Sequence, residues 1–266
     1  MRITVDHRTR YRFSEPQARI VQMLRLTPSD TADQTVVSWL IGIDCDARMR
    51  DGTDGFGNAV TMLYADGPIE TFDVTVSGEV LTSEANGVVR GSIEPLAPLL
   101  FLRSTPRTAP GDALSVFAAD SVAGAGDPLE RLHRLNTALH ARFPDAPDAP
   151  DTGVTAAAAF DSDRVTSRDM AQMFIAAARC LGVPARYISG YCSDGVARSA
   201  PHAWAEAHVE GLGWVGFDPV KGLSTDECHV RMAVGLDAAG AAATVGTRTG
   251  AGDEKLDVDL QAFAEE

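Results

Sequence analysis

Ser167 stands at a position that allows two kinds of chemistry. It lies in the stretch R-V-T-S-R-D-M-A-Q-M-F, residues 164–174, where apolar residues begin to repeat at helical spacing. A helix N-terminus favours negative charge, so an enzyme can keep a nucleophile there. Serine is also among the best residues for capping a helix. The local sequence fits both interpretations of Ser167 and leaves them open.

A histidine and an aspartate lie downstream in P-H-A-W-A-E-A-H-V-E-G-L-G-W-V-G-F-D-P, residues 201–219. The stretch predicts two antiparallel strands joined by a turn. A three-residue turn would pair Val209 with Gly213, and His202 would then be the diagonal neighbour of Asp218 on one face. A four-residue turn would place the two side chains on opposite faces. The register of this hairpin therefore decides whether they can meet.

Two helices are predicted to position these residues. The first begins at Asp127, an N-cap residue followed by proline and by a glutamate three residues after the cap, and its leucine repeat stops at Phe143. The second covers residues 167–181 and ends at Gly182, shortly before a proline. We expect the second helix to be central and buried, because one face carries Met170, Met173, Phe174, Ala177 and Leu181.

The N-terminal part of the chain has a different pattern. Residues 2 to about 118 contain alternating and β-branched stretches separated by turn signals such as D-G-T-D-G-F-G-N, which predict an antiparallel β domain. Residues 120–127 are typical of a loop or linker. The predicted fold class is therefore α+β, with a β-rich domain at 1–119 and a second domain at 120–266 that ends in a strand near K-L-D-V-D-L.

Length and charge restrict the function classes. The 266 residues can bury a sizeable core, and the net charge of −14 argues against nucleic acid and against anionic membrane surfaces as partners. The N-terminus shows no secretory signal, and no stretch approaches the length of a membrane-spanning helix, so we expect a cytoplasmic protein. The sequence gives no indication of the oligomeric state.

No metal or cofactor is expected from spacing. The four cysteines form no C-x-x-C pair, and Cys192, Asp194 and His202 match no standard ligand pattern. Phosphate-binding glycine motifs and calcium-loop motifs are absent from the sequence. Histidines outside the hairpin motif are more often packed or solvated than catalytic, and five are interpreted in this way: His7, His133, His140, His208 and His229.

The motifs carry a resemblance to a known family. R-Y-I-S-G-Y followed by H-A-W-A-E and G-L-G-W-V-G-F-D-P resembles the core of the bacterial transglutaminase-like family, which is related to papain-like cysteine proteases. H-R-T-R-Y-R-F-S-E-P, L-R-L-T-P and D-G-F-G-N resemble the β domain that precedes this core, and H-V-R-M-A-V-G resembles its tail. The resemblance covers nearly the whole chain and implies a central helix packed on an antiparallel sheet.

The resemblance implies a Cys-His-Asp triad, in which His202 takes the position of the histidine and Asp218 that of the aspartate. The cysteine position, seven residues after Phe160, is occupied by Ser167. An engineered Cys→Ser change would leave the neighbouring motif intact. Since Val165 and other neighbours also depart from the family pattern, we favour natural divergence.

Two functions stay open at this point. The first is acyl transfer or hydrolysis of a peptide, an isopeptide or a small amide, with Ser167 as the attacking group and activity that is weakened, serine-dependent or lost. The second is a non-catalytic protein that binds a peptide or acyl ligand or acts as an interaction scaffold, with Ser167 as a structural cap. Hydrolysis and transamidation are not separated by the sequence.

Overall fold

The computed structural model describes residues 1–144, 146, 153–193 and 201–265. Its strands, in chain order, are β1 (Arg2–Leu24), β2 (Gln34–Ile43), β3 (Ala47–Thr53), β4 (Ala59–Thr82), β5 (Val88–Val89), β6 (Ala185–Cys192), β7 (His202–Val209), β8 (Gly213–Asp218), β9 (Leu223–Ser224), β10 (His229–Gly235), β11 (Thr244–Thr249) and β12 (Glu254–Glu265). The α-helices are α1 (Gly111–Ser121), α2 (Pro128–Arg142), α3 (Ala156–Phe160) and α4 (Ser167–Cys180). None of the helices in these ranges is long and apolar enough to cross a membrane.

The first sheet is antiparallel and has the order β11-β1-β4-β2, with β12 on β1 and β3 on β4. The strand predicted near K-L-D-V-D-L is present as β12, but it completes this first sheet instead of the second domain. The reason is apolar packing, since Leu260 and Ala262 lie against the cluster that contains Ile3 and Val5. The two ends of the chain thus share one sheet. The division at residue 119 itself stays a prediction.

Helix α1 lies where the sequence pattern indicated β structure up to about residue 118, so that part of the prediction is wrong. Leu114 and Ala118 are spaced four residues apart, and both are buried in the core around α4. A single pair at this spacing is a weak helical signal. Helix α1 is stabilised by packing against neighbouring helices more than by its local sequence pattern. The predicted start of α2 is confirmed, since the Asp127 side chain accepts the N–H of Glu130.

Helix α4 is the centre of the second domain, as predicted. All of its residues from Asp169 to Arg179 are buried. It packs on the second sheet, whose order is β10-β6-β7-β8-β5. The strand face beneath the helix consists largely of alanine, and these small side chains let the helix approach the sheet closely: Ala185, Ala203, Ala205 and Ala207.

The connection from α4 to β6 fixes the end of the sheet at which α4 begins. Arg179, near the C-terminus of α4, donates through Nη2 to the carbonyl of Ala185 at the start of β6 at 2.8 Å. The chain therefore reverses direction after α4, and β6 runs back along the helix. A helix of this length spans about 21 Å and the strand about 26 Å. The N-terminus of α4 consequently lies at the end of the sheet where Cys192 finishes β6 and His202 begins β7.

The two sheets meet through an apolar cluster that joins the N-terminal strands to the second sheet. At its border His7 of β1 lies 2.9 Å through Nδ1 from the hydroxyl of Tyr191 on β6. Burial lowers the pKa of His7 from 6.5 to about 4. The imidazole is therefore neutral at pH 7 and ties the first sheet to the second without a charge.

This pKa predicts a loss of stability in mild acid. Because the pKa of His7 is lowered in the folded state, its unfolded form takes up a proton first as pH falls below 6.5, and stability declines toward the folded pKa of about 4. We expect the free energy of unfolding of the wild type to fall by about 2 kcal/mol more between pH 7 and pH 5 than that of His7→Gln. Urea unfolding at the two pH values measures this difference. Equal pH dependence in the two proteins would show that His7 titrates normally.

Candidate active site

The first turn of α4 is capped by Thr166 and not by Ser167. The Thr166 side chain accepts the N–H of Asp169 at 3.3 Å, and the Asp169 carboxylate accepts the N–H of Thr166 at 2.9 Å. This reciprocal pair is a capping box, and it satisfies the N–H groups of Thr166 and Asp169. The interpretation of Ser167 as the structural cap is therefore wrong, because the neighbouring threonine already has that role.

Ser167 is the first helical residue of α4 and is half-buried. Within the described ranges its hydroxyl makes no hydrogen bond to any side chain or backbone group. The hydroxyl is thus not used in holding the helix start, although it lies at the positive end of the helix dipole. A free hydroxyl at this place is available for other chemistry.

The hairpin of β7 and β8 has the register that the hypothesis required. Val209 pairs with Gly213, so the turn takes the three residues 210–212. As a result His202 and Asp218 lie on the same face, and His202 Nε2 is 2.8 Å from Asp218 Oδ2. Both side chains are fully buried, with 0% of each side chain exposed. The predicted meeting of these two residues is confirmed as geometry.

Asp218 uses both carboxylate oxygens. Oδ1 accepts the N–H of Val220 at 2.9 Å, which fixes the turn after β8. Oδ2 accepts from His202 and also lies 3.1 Å from Nε2 of His229. Burial alone would raise the pKa of Asp218, but the charges and hydrogen bonds of the two histidines outweigh it and hold this pKa far below its usual range. Asp218 is therefore an ionised acceptor.

The ionised carboxylate determines the tautomer of His202. Because Asp218 can only accept, Nε2 of His202 carries the hydrogen, and a neutral ring then has its lone pair on Nδ1. This Nδ1 atom is buried and has no hydrogen-bond partner among the described residues. A ring that is held in place and has an unpaired lone pair has the arrangement of a general base.

His229 belongs to the site, although the sequence assigned it to packing. Its Nδ1 lies 2.8 Å from Oδ1 of Asp226 and its Nε2 lies near Asp218, so both nitrogens face carboxylates. Burial lowers the pKa of His229, but these two acidic partners outweigh it, and the net shift is upward. Its place is set by the pairing of His229 with Cys192 across β10 and β6. The motif H-V-R-M-A-V-G is visible in the sequence, but the motif does not show that its strand pairs with β6.

Ser167 and His202 come to the same end of the sheet without touching. No hydrogen bond joins them in the part of the chain that the structure describes, since the Nδ1 atom of His202 has no partner there. The structure therefore brings His202 and Asp218 into contact and does not bring Ser167 into contact with either of them in the part of the chain it describes. Cys192 lies at the same place, with Sγ close to ring nitrogens of His202 and His229. Asp194, named with these residues in the sequence, lies outside the described ranges.

A small cleft of about 30 Å³ opens on the sheet face away from α4. Its walls come from both domains, with Asp33 and Gln34 on one side and Trp204, Asp226 and His229 on the other. Trp204 therefore lines a cleft and does not pack on the central helix. Beneath it, the buried Glu206 carboxylate pairs with Arg186 at 2.6 Å and with Arg231 at 2.7 Å.

Comparison with known proteins fits this architecture. A family model for the bacterial transglutaminase-like N-terminal region matches residues 3–81, and a model for the transglutaminase-like superfamily matches residues 116–219. The chain is a transglutaminase-like protein. The second match begins inside α1 and ends just after Asp218, so it covers the helix start, the histidine and the aspartate described above.

Relatives of this transglutaminase-like chain are found in mycobacteria. An uncharacterised protein of Mycobacterium leprae is 26% identical over 282 residues, covering 98% of this chain and 98% of that protein. One of Mycobacterium tuberculosis is 25% identical, covering 89% and 84%. A crystal structure of a candidate cysteine protease from Cytophaga hutchinsonii has a TM-score of 0.77 at 18% identity, over 98% of this chain and 90% of that one. The α+β transglutaminase-like fold predicted from the sequence is confirmed.

The capping geometry gives a direct stability test. We expect Thr166→Ala to lower the free energy of unfolding by about 1 kcal/mol, because the first turn of α4 loses its cap. Ser167→Ala, one residue along, should change it by less than about 0.5 kcal/mol, because no hydrogen bond is lost. Urea unfolding midpoints of the two variants at pH 7 measure the contrast. A larger loss for Ser167→Ala than for Thr166→Ala would return the capping role to Ser167.

Proposed function

We propose that this protein transfers or hydrolyses acyl groups, with Ser167 as the attacking group, His202 as the base and Asp218 as its partner. The observation that supports it most is the Nδ1 atom of His202, which is buried and without a partner among the described residues, while Nε2 is held by Asp218. Leaving a buried nitrogen unpaired costs free energy, on the order of 1–3 kcal/mol. A catalytic role of Nδ1 as proton acceptor explains why the fold keeps this unfavourable arrangement.

The reaction follows from these roles. His202 Nδ1 takes the proton from the Ser167 hydroxyl as its oxygen attacks an amide or ester carbonyl, and Asp218 stabilises the imidazolium that forms. Backbone N–H groups at the start of α4 face the developing oxyanion, where the helix dipole adds to their effect. His202 then gives the proton to the leaving group. Water or an amine attacks the Ser167 ester in a second step and releases the acid or the new amide.

The serine makes this a slower enzyme than its fold suggests. The family places a cysteine where spacing puts Ser167, and a helix N-terminus readily converts a thiol to a thiolate. A hydroxyl has a much higher pKa, so it depends on His202 for deprotonation during attack. We infer weak, serine-dependent turnover, and natural divergence as the origin of the serine.

A peptide, an isopeptide or a small amide is the proposed substrate class. The net charge of −14 favours neutral or cationic molecules over anionic ones, and nucleic acids and membranes are not proposed as partners. A cytoplasmic location stays a prediction. The same net charge gives no preference between water and an amine as the final acceptor.

The second candidate function is ligand binding without catalysis. It is favoured by one observation, the absence of a hydrogen bond between Ser167 and His202 within the described ranges. In this case the site holds a peptide or acyl group and does not cleave it. The two candidates differ in whether the Ser167 oxygen ever forms a covalent bond.

Covalent labelling tests the proposed function. We expect a serine-directed fluorophosphonate to label Ser167 in the wild type, because His202 activates its hydroxyl, and Ser167→Ala to abolish both labelling and hydrolysis of an activated ester. His202→Ala should lower the hydrolysis rate about 10²–10⁴-fold. Mass spectrometry of the labelled peptide and initial rates at pH 7 are the measurements.

Ser115→Ala is the matched control, since Ser115 is also a half-buried helical serine but lies on α1. It should leave labelling and turnover unchanged. Ser167→Cys tests the site independently, because iodoacetamide should alkylate the new thiol if the helix start activates nucleophiles. Alkylation of Ser167→Cys together with no labelling of wild-type Ser167 would reject catalysis and leave the binding function.

A further inference from the structure

Three side chains that bind transition metals meet at the end of the second sheet. His229 pairs directly with Cys192 across β10 and β6, and His202 pairs with Gly190, two residues before Cys192. The three side chains therefore lie on one face of three adjacent strands. Cys192 Sγ and one ring nitrogen from each histidine lie within 4.8 Å of one another, and all three residues are buried.

The donor types and their spacing suit a borderline-soft divalent metal. Thiolate sulfur and imidazole nitrogen are the ligands that Zn²⁺ prefers, in tetrahedral sites with Zn–S near 2.3 Å and Zn–N near 2.0 Å. Such bonds place neighbouring ligand atoms about 3.5 Å apart. Separations of up to 4.8 Å need a contraction of at most about 1.5 Å, which side-chain rotation can supply.

We propose that Cys192, His202 and His229 bind Zn²⁺ or a metal of the same class, with water in the fourth position and the Asp218 carboxylate beside the two histidines. Asp218 Oδ2 already lies 2.8 Å from a nitrogen of His202 and 3.1 Å from a nitrogen of His229. The Cys192 thiolate and this neighbouring carboxylate together balance the charge of a divalent ion. A neutral assembly is what a buried site requires, because an unbalanced charge there is costly.

The surroundings support ligation by these side chains. His229 Nδ1 faces Asp226 at 2.8 Å, and a carboxylate behind a histidine is the usual outer partner of a metal-bound imidazole. The ammonium of Lys221 lies within hydrogen-bond reach of the Cys192 side chain. The ammonium in turn favours the thiolate, which is the metal-binding form. The cleft lined by His229 and Asp226 offers a route from solvent.

Binding exchanges protons for metal and changes no oxidation state. The thiol proton of Cys192 leaves to solvent, and each histidine binds as a neutral imidazole whose one ring proton is on the nitrogen that does not bind the metal. The proposal concerns binding and does not depend on whether Ser167 is a nucleophile. Its test therefore uses no measurement of turnover.

Cobalt spectroscopy of the full chain tests the site. Protein dialysed against a chelator is titrated with Co²⁺, and we expect a thiolate-to-cobalt charge-transfer band with tetrahedral d–d absorption, both removed by added Zn²⁺. Cys192→Ser should lose the charge-transfer band. Asp226→Asn should keep the band and weaken Co²⁺ binding about 10–100-fold, because the outer partner of His229 is lost.

Cys228→Ser and Cys180→Ser are the matched controls, since Cys228 is adjacent to His229 in sequence and Cys180 is exposed. Both should keep the band. Circular dichroism and the urea midpoint establish that each variant is folded. If Cys192→Ser does not fold, the affinity of Asp226→Asn for Co²⁺ tests the proposal instead. No band in the wild type, a band that survives in Cys192→Ser, or unchanged affinity in Asp226→Asn would overturn the proposal.

Discussion

The arrangement of the site depends on one buried carboxylate, that of Asp218. Its Oδ1 atom fixes the turn that follows β8, and its Oδ2 atom receives hydrogen bonds from two histidines on two other strands. Removing such a charge from water is expensive unless partners replace the lost solvation. The two imidazoles provide that replacement, and in return the carboxylate sets their orientation and the tautomer of His202. The geometry of the turn after β8, of His202 and of His229 therefore depends on this one carboxylate.

The two faces of β7 explain how the fold places this carboxylate beside a helix terminus. Alanine alternates with larger polar and aromatic residues along H-A-W-A-E-A-H. The alanine face lies under α4, which is buried along its whole middle, and the other face carries His202, Trp204 and Glu206. Because α4 is followed by a tight reversal into β6, its first turn lies at the end of the sheet where His202 begins β7. Close helix packing and a polar site thus use alternate residues of one strand.

The parts of this structure that could be predicted are those with short-range signals. The start of α2 follows from an N-cap aspartate with proline behind it, and the hairpin itself follows from its turn residues, although the sequence left two registers open and the structure has the one with a three-residue turn. What could not be predicted depends on pairing between distant segments. His229 reaches Asp218 only through the alignment of β10 with β6, and β12 joins β1 across nearly the whole chain. The cap was misassigned because Thr166 and Ser167 are adjacent residues with similar capping ability, and a one-residue difference in helix start separates them.

The two proposals for this site compete for the same imidazole. A ring nitrogen of His202 that donates its lone pair to a metal cannot also hold a proton. If Nε2 is the ligand, its hydrogen bond to Asp218 is lost, and with it the control of the tautomer. If Nδ1 is the ligand, the lone pair that would deprotonate Ser167 is occupied. In either case a metal-bound protein has no free base, so acyl transfer and metal binding would belong to different states of one site. Cys192 is the cysteine whose Sγ lies within 4.8 Å of a ring nitrogen of each histidine among the described residues, so it decides which of the two states has a thiolate ligand.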